Sequence, residues 1–323
     1  MGYPWGMNPM NTGPDDPSTA RIAVLVPCHD EEATIGAVVT AFRKALPDAR
    51  IFVYDNASRD HTMHEAEKAG AIVRSEKLPG KGNVVRRMFA DCEADIYVIV
   101  DGDNTYDAAA APGMIARLRN DQLDMVVGTR VASGKAAYRR GHRMGNRILT
   151  GLVARLFGRA FTDMLSGYRV MTRRFVKSFP ADARGFEVET ELAIHALELR
   201  APTAEIPTNY DERPPGSTSK LRTFRDGGHI IWFILRLIER ERPILFYGTL
   251  AATTLLVALA FAFPVLRDYH ETGLVARLPS WILSVSLGVA GALFGACGLI
   301  LNATHTMRVE ARRLAYLAIP LLP

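Results

Sequence analysis

The sequence is poor in cysteine and glutamine. Its 323 residues include three cysteines, Cys28, Cys92 and Cys297, and a single glutamine, Gln122. The cysteines show no paired spacing, so the pattern predicts neither a zinc site nor a disulfide framework. Residues 1–20 lack the basic start and apolar core of a signal peptide, and we interpret them as a flexible tail. The domain that follows is therefore expected in the cytosol.

Two common phosphate-binding motifs are also missing. No G-x-G-x-x-G follows the first predicted strand, and Gly80-Lys81-Gly82 lacks the earlier glycine of a P-loop. These absences argue against two classes of protein, the dinucleotide-binding proteins and the P-loop kinases. The net charge of +5 weakly favours anionic partners. No recognition motif accompanies the basic residues, so nucleic acid is not an expected partner.

The chain does contain a regular alternation of apolar runs and helical patterns between residues 21 and 128. The predicted strands are 21–27, 51–54, 71–74, 96–100 and 125–128, and the predicted helices are 33–46, a segment ending at 70, 80–92 and 108–119. Such alternation predicts an α/β domain with a parallel, doubly wound sheet. Ligands of these sheets bind beyond the carboxyl ends of the strands.

The strand over 96–100 ends in Asp101-Gly102-Asp103. Residues two apart in an extended chain point to the same side, so the two carboxylates are expected to face one point. Carboxylates arranged in this way suit a hard divalent cation that holds phosphate oxygens. A capped turn with solvated acids is the alternative interpretation.

Other strand ends carry acids as well. The segment Asp30–Glu32 follows the first predicted strand, and Asp55 follows the second. A nucleotide can use such acids for ribose hydroxyls and base N–H groups, while Lys81 can neutralise a phosphate. Taken singly, each acid is also explained as a turn or helix cap.

Two basic stretches and an acidic helix follow. Residues 131–146 are interpreted as an anion-binding loop near the mouth of the site, with a solvated loop as the alternative, and 213–222 form a second basic, turn-rich stretch. A helix is predicted from Phe186. Glu187 and Glu191 would share one face of it, so a cation is expected opposite them, with a solvated surface helix as the alternative.

Two long uncharged segments, 243–266 and 278–304, dominate the C-terminal part. Each exceeds the roughly 20 residues needed to cross hydrocarbon. Arginines flank their outer ends, and because positive residues stay cytoplasmic, a transmembrane hairpin with both ends inside is predicted. Glycines at 288, 291, 295 and 298 suit close packing within the hairpin or between subunits. Residues 226–242 are predicted to form an amphipathic helix in the membrane interface, with a buried core helix as the alternative.

Six motifs occur in a fixed order, and as a set they resemble the family-2 glycosyltransferases of the GT-A fold. The most similar subgroup is the polyprenyl-phosphate (dolichyl-phosphate) glycosyltransferases, including their bacterial membrane-anchored members. The motifs are Val26–Glu32, Asp55–Asp60, Gly80–Gly82, Asp101–Asp103, Ser166–Arg169 and Ser219–Lys220. The resemblance implies a GT-A (Rossmann-like) mixed-sheet catalytic domain over 21–225, after the tail 1–20. The interfacial helix 226–242 and the membrane hairpin with its short tail, 243–323, would follow.

The resemblance also implies a donor site. Its residues would be Pro27, Glu31 and Asp55 at the base and ribose, Lys81 near the nucleotide, and Asp101 and Asp103 at the sugar diphosphate and its Mg2+ or Mn2+. Two positions depart from the family pattern. His29-Asp30 replaces the usual Tyr-Asn, which weakens the implied base contact. Thr105 stands where some relatives have an amide, so Asp107 or water would complete the coordination.

The implied acceptor is a polyprenyl phosphate. Its phosphate would be bound by Arg213, Ser219 and Lys220, with Arg139 of the first basic stretch adding charge. A phosphate monoester has a second pKa near 6 and is largely dianionic at neutral pH, so it needs little help from a general base. If a base is used, Asp163 is the first candidate and Glu189 the second.

The predicted reaction is an inverting transfer of a sugar from a nucleotide-sugar, with UDP favoured and GDP-mannose as the other option, to a polyprenyl phosphate. It is expected at the cytoplasmic face of a bacterial inner membrane, and a second copy of the chain could associate through the hairpin. A membrane polysaccharide synthase is the alternative enzyme, although Gln122 does not belong to the Gln-x-x-Arg-Trp motif of that group. A non-catalytic membrane scaffold that retains the fold is the alternative from another class.

Overall fold

The computed structural model describes residues 20–132, 151, 161–183, 185, 187–212, 235–236 and 238–321. They fall into two compact units. The sheet unit contains the described residues between 20 and 212, except residue 151, and those from Tyr316 onward. The helix-pair unit contains residue 151 and the described residues between 235 and 315. The predicted domain boundaries remain predictions, since the tail and residues 213–234 lie outside the described part.

The sheet unit is built from alternating strands and helices. Its strands are β1 (Ile22–Cys28), β2 (Arg50–Asp55), β3 (Ile72–Ser75), β4 (Ile96–Ile99), β5 (Met125–Ala132), β6 (Arg169–Thr172) and β7 (Thr203–Tyr210). Its helices are α1 (Ile35–Ala45), α2 (Thr62–Lys68), α3 (Lys81–Asp91), α4 (Ala111–Asn120), α5 (Arg173–Ser178) and α6 (Val188–Leu199), and a 3-10 turn at Ala108–Ala110 precedes α4. The elements predicted up to residue 128 are present with shifts of one or a few residues at their ends.

The seven described strands form one sheet in the order β3-β2-β1-β4-β6-β5-β7. β1 pairs in parallel with β2 and β4, and β5 pairs in parallel with β7. β6 runs antiparallel to both of its neighbours, β4 and β5. The purely parallel sheet predicted from the alternation is therefore wrong at β6, whereas the mixed sheet implied by the resemblance is confirmed. Four residues are too short a stretch for periodicity to reveal this strand.

The core lies on both faces of the central strands. Every residue of β4 is buried, as expected for a strand covered by helices on each side. α1 buries Ile35, Val38, Val39 and Phe42, which recur at helical spacing along one face. Each such side chain contributes about 1.5–3 kcal/mol of burial free energy. This packing holds the carboxyl ends of the strands in place.

The helix-pair unit contains one long helix, α7 (Pro243–Thr272), and all but the last two residues of another, α8 (Leu278–Leu317). Both are long and apolar enough to cross a membrane. At 1.5 Å per residue they extend about 45 and 60 Å, more than the roughly 30 Å of a hydrocarbon core. They therefore continue beyond the spans predicted from the uncharged segments. Of the predicted interfacial helix 226–242, only 235–236 and 238–242 are described, and 238–241 are helical.

Two of the four hairpin glycines lie where α7 and α8 pack together. A Cβ on Gly291 would lie 2.8 Å from Leu255 Cγ, and one on Gly298 would lie 3.1 Å from Tyr247 Cβ. At Gly288 and Gly295, no described heavy atom outside the helix's own backbone comes within 4 Å of such a Cβ. Two of the four glycines, Gly291 and Gly298, thus allow close packing within the hairpin. Association between subunits remains a prediction.

Candidate active site

β1, β2 and β4 are adjacent and parallel, so their carboxyl ends meet at one edge of the sheet. The strand order reverses around β1, because the chain continues to β2 and β3 on one side and returns to β4 on the other. Such a switch point is the usual ligand position in open α/β sheets. Pro27, Asp55 and Asp101 stand at these three ends. The edge therefore brings together three of the four predicted donor motifs.

The two carboxylates after β4 differ in exposure. Asp103 is 3% exposed, whereas the side chain of Asp101 is 29% exposed. Thr105 fixes the buried one, because its hydroxyl donates to Asp103 Oδ1 at 2.6 Å and its N–H donates to the same oxygen at 3.3 Å. Asp107 accepts the N–H of Ala109 at 2.9 Å and caps the 3-10 turn. Thr105 thus orients the carboxylate of Asp103, at a position where some relatives are expected to have an amide.

Lys81 joins the partly buried carboxylate of Asp101 to a residue far along the chain. Its ammonium donates to Asp101 Oδ1 and to Glu189 Oε1. Burial alone would lower the pKa of Lys81, but the two carboxylates outweigh it and hold that pKa above its ordinary value. A cation thus already lies between these acids. The second oxygen of Glu189 is buried and has no hydrogen-bond partner.

The loop before Lys81 is held by Asn56, a residue to which sequence reasoning gave no role. Its side-chain amide donates to the carbonyls of Glu76 and Leu78, at 2.9 and 2.8 Å, and its side-chain oxygen accepts the N–H of Gly80 at 2.7 Å. Gly80 has φ of +118°, a conformation that favours glycine. α3 begins at the next residue, so this loop sets the direction of the lysine side chain.

Glu189 lies in the first turn of α6, which is the helix predicted from Phe186. A cation was expected opposite Glu187 and Glu191, and Lys81 meets the residue between them. Glu191 accepts the backbone N–H groups of residues 182 and 183 at 3.1 and 2.9 Å. Negative charge is favoured in this first turn by the helix dipole. The helix was predictable, but the partner of its acids was not.

Asp163 lies in an ion pair rather than free in the site. Arg130, in the part of β5 that extends beyond the predicted strand, donates to its two carboxylate oxygens at 2.7 and 2.8 Å. Burial would raise the pKa of Asp163, but the hydrogen bonds and charge of Arg130 prevail and hold it below its ordinary value. A carboxylate of lowered pKa is a weak proton acceptor. This geometry disfavours the base role predicted for Asp163.

The predicted nucleoside contacts occupy the ends of β1 and β2. Asp55 is 3% exposed; its Oδ2 accepts the N–H of Ser58 at 3.1 Å, and its Oδ1 is buried without a hydrogen-bond partner. Glu31 accepts the hydroxyl of Thr34 at 3.3 Å, while its own N–H donates to Thr62 at 2.8 Å. Pro27 pairs with Tyr54 inside the sheet. Of these residues, Asp55 presents the clearest unsatisfied acceptor.

The remaining acids after β1 lock two loops together. Asp30 accepts the N–H of Arg59 at 2.8 Å, and Glu32 accepts the N–H of His61 at 3.0 Å. Asp30 also has φ of +49°. Both side chains therefore have the capping role that was the alternative for acids at strand ends. They connect the loop that carries Glu31 to the loop that follows Asp55.

The predicted acceptor residues lie outside the described part of the chain. They are Arg139, Arg213, Ser219 and Lys220. Their roles remain predictions, as does the anion-binding loop over 131–146, of which only residues 131 and 132 are described.

The sheet and the acids at its edge define an α/β enzyme of the GT-A type. The chain is similar to the crystal structure of glucosyl-3-phosphoglycerate synthase from Mycobacterium tuberculosis in complex with Mg2+ and uridine diphosphate, with a TM-score of 0.55 and 25% sequence identity. The match covers 68% of this chain and 79% of that one.

Sequence comparison identifies the family. Residues 23–179 match the model of glycosyl transferase family 2. Glycosyltransferase AglJ of Haloferax volcanii is 33% identical over 86% of this chain and 90% of its own length. A dolichyl-phosphate hexose transferase of the same organism is 28% identical over 68% of this chain and 95% of its own length. The chain belongs to glycosyl transferase family 2, so the resemblance carried by the six motifs is confirmed.

Proposed function

We propose that this glycosyltransferase moves a sugar from a nucleotide-sugar to a polyprenyl phosphate at the cytoplasmic face of a membrane. One observation carries the proposal: the carboxylates of Asp101 and Glu189 already enclose a cation, the ammonium of Lys81, at the carboxyl edge of the sheet. A donor diphosphate needs positive charge at such a place. The Mg2+ and uridine diphosphate bound by the mycobacterial synthase support it.

Asp101 and Asp103 would hold Mg2+ or Mn2+. Their hard carboxylate oxygens are the ligands these ions prefer. Lys81 is one cation between two acids, Asp101 and Glu189, and Asp103 follows Asp101 by two residues. The bound ion would stabilise the charge that develops on the leaving nucleoside diphosphate. Thr105 keeps one oxygen of Asp103 in a fixed direction. Lys81 pairs with Asp101 and would contact donor phosphate oxygens.

The nucleoside would bind at the ends of β1 and β2. The buried, unpartnered Oδ1 of Asp55 is suited to accept a hydrogen bond from a ribose hydroxyl or a base N–H. Pro27, near the end of β1, and Glu31, on the loop braced by Asp30 and Glu32, would complete this side of the pocket. A uridine donor is favoured over a guanosine donor because the mycobacterial synthase binds uridine diphosphate.

The acceptor phosphate would attack the anomeric carbon directly and invert it. A largely dianionic phosphate monoester does not require a base, and the ion pairs of Asp163 and Glu189 give both acids another role. The cationic residues Arg139, Arg213 and Lys220, with Ser219, would hold this phosphate against the anionic donor. The dolichyl-phosphate transferase among the relatives supports a lipid phosphate as acceptor.

α7 and α8 would anchor the chain in the bilayer that contains the acceptor's tail. Both helices satisfy the length and hydropathy required for crossing. Arg240 and Arg242 precede α7, and Arg308, Arg312 and Arg313 lie in the last part of α8. Because arginines remain on the cytoplasmic side, both outer ends of the hairpin would face the cytoplasm. An anchored enzyme meets its acceptor at the membrane surface.

The test uses the full chain purified in detergent, with polyprenyl phosphate, Mg2+ or Mn2+ and a panel of uridine and guanosine sugar nucleotides. A glycolipid product is expected from one donor and is expected to disappear when the metal is chelated. Asp103→Ala should abolish transfer while binding of the lipid survives. Asp121→Ala, which changes an exposed acid at the end of α4, is the matched control and should leave turnover unchanged.

Two results would contradict the proposal. Turnover that survives Asp103→Ala or chelation would reject the metal site. Absence of a product from every donor, with a folded wild-type protein, would favour a scaffold that retains the fold without activity.

A further inference from the structure

Arg169 is a buried arginine that has no role in the proposed reaction. It is the first residue of β6, opposite Ile99 of β4 and Val127 of β5, and it is 1% exposed. Its Nε donates to the carbonyl of Ser166 at 3.1 Å and its Nη2 to the carbonyl of Met164 at 2.6 Å. Within the described part of the chain, none of its hydrogen bonds goes to a carboxylate.

A guanidinium in this position is unusual. Burial lowers the pKa of Arg169 to about 10, against the opposing influence of the Glu189 and Asp163 charges. The side chain therefore stays charged at neutral pH. Removing such a charge from water is costly when no carboxylate is bonded to it. Hydrophobic packing would be served better by an apolar side chain, so the fork of donors must have another use.

Both carbonyls belong to Asp163–Tyr168, which we call the rim loop. Two further hydrogen bonds fix it: the hydroxyl of Ser166 donates to the carbonyl of Gly128 at 2.5 Å, and the N–H of Gly167 donates to the hydroxyl of Tyr106 at 2.9 Å. Tyr106 and Ser166 are themselves buried. The rim loop is thus tied to β5, to the segment after β4 and, through Arg169, to β6.

Gly167 touches the carboxylate of Asp101. A Cβ on this glycine would lie 2.5 Å from Asp101 Oδ2 and 2.9 Å from its Cγ, which is closer than such atoms approach. The other oxygen of the same carboxylate accepts from Lys81. One side of Asp101 is therefore set by the lysine and the other by the backbone of the rim loop.

We propose that Arg169 is a positioning residue for the metal site. By drawing in the carbonyls of Met164 and Ser166, it holds Gly167 against Asp101 and so fixes the direction of that carboxylate. The inference rests on the proposed role of Asp101 as a metal ligand. Residues that orient metal ligands typically change affinity by about 10- to 100-fold when they are replaced.

The primary test measures Mn2+ binding by the full chain in detergent, from the loss of the free-ion electron paramagnetic resonance signal. Arg169→Lys keeps the charge but replaces a planar fork by a single ammonium. It is expected to weaken Mn2+ binding by about 10- to 100-fold. Arg174→Lys is the matched control, because Arg174 makes a fork with Asp124 at 2.6 and 2.8 Å away from the rim loop.

A second variant tests the route through Gly167. Gly167→Ala should displace the Asp101 carboxylate and weaken Mn2+ binding in the same range. Its control is Gly113→Ala, where no heavy atom of a described residue meets the added Cβ. Both changes act on the carboxylate of Asp101, so their effects should not add. The double variant Gly167→Ala/Arg169→Lys should have the same Mn2+ affinity as whichever single variant binds Mn2+ less tightly.

The outcomes separate the two proposals. A wild-type protein that does not bind Mn2+ would reject the metal site of the proposed function, and this inference with it. A wild type that binds, with an unchanged affinity in folded Arg169→Lys or a fully additive double variant, would reject the role of Arg169 alone. If Arg169→Lys does not fold, Ser166→Ala, which loosens the rim loop from β5, decides in its place: unchanged affinity there and in Gly167→Ala would overturn the inference.

Discussion

Replacing Lys81 by methionine tests whether its ammonium is the counter-ion of two acids. Methionine has a similar length and no charge, so Lys81→Met leaves Asp101 and Glu189 without their shared cation. The side chain of Glu189 is 8% exposed and that of Asp101 is 29% exposed. Most of the penalty therefore comes from Glu189, which water reaches poorly.

The size of the effect follows from this burial. Removing one partner of a buried ion pair typically costs 3–5 kcal/mol. Since one of the two acids is partly hydrated, we expect a loss of about 3 kcal/mol in the free energy of unfolding. For a domain of this size, each kcal/mol lowers Tm by about 2–4 °C. The expected decrease is therefore roughly 6–12 °C.

The assay is thermal unfolding followed by circular dichroism in detergent. Lys68→Met is the matched control, because Lys68 is an exposed lysine that pairs with Glu65 at 3.7 Å. Exposed pairs contribute at most about 1 kcal/mol, so its Tm should move by only a few degrees. Adding Glu189→Gln to Lys81→Met should recover most of the loss, since the amide removes the uncompensated charge.

Two results would refute this reasoning. A decrease for Lys81→Met no larger than that for Lys68→Met would show that the ammonium is not a buried counter-ion. Failure of Glu189→Gln to recover stability would show that the loss arises from packing and not from charge.

Three other predictions concern different parts of the chain. Asp163→Asn should lower the free energy of unfolding at pH 7, as measured in urea titrations. A carboxylate with a lowered pKa stabilises the fold fully above its unfolded pKa, so the difference from wild type should shrink as pH falls below about 4. A difference that stays constant with pH would contradict this. Thr105→Val removes the 2.6 Å hydrogen bond to Asp103 and should weaken Mn2+ binding about tenfold by calorimetry; unchanged affinity would reject the orienting role. Gly291→Leu should lower the thermal stability of the helix pair, because its Cβ would lie 2.8 Å from a leucine of α7, whereas Gly288→Leu should not; equal effects would contradict this packing.

Much of the secondary structure was predictable because it depends on neighbours in the chain. The apolar run before Asp101 and the helical spacing in α1 are local patterns, and each was found within a few residues of its predicted position. The starts of α7 and α8 coincide with those of the uncharged segments, although both helices end beyond them. The sequence also predicted that the acids at 55 and 101 would share an edge, because parallel strands that alternate with helices end on the same side.

The tertiary structure alone decided how the site residues meet. Lys81 and Glu189 are 108 positions apart, and no periodicity relates them. Arg130 pairs with Asp163 only because β5 continues beyond its apolar part and the rim loop returns beside it. The antiparallel strand β6, four residues long, brings Arg169 beneath that loop.

The physical reason for this division is the range of the interactions. Hydrophobic periodicity and helix length are written in residues a few positions apart, so the chain by itself specifies its strands, its helices and the acids at their ends. Hydrogen bonds and ion pairs act over a few ångströms in space. The packing of the whole sheet unit decides which groups come that close. Only the folded structure therefore shows that Lys81 pairs with two acids, that Asp163 pairs with Arg130, and that Gly167 lies against Asp101.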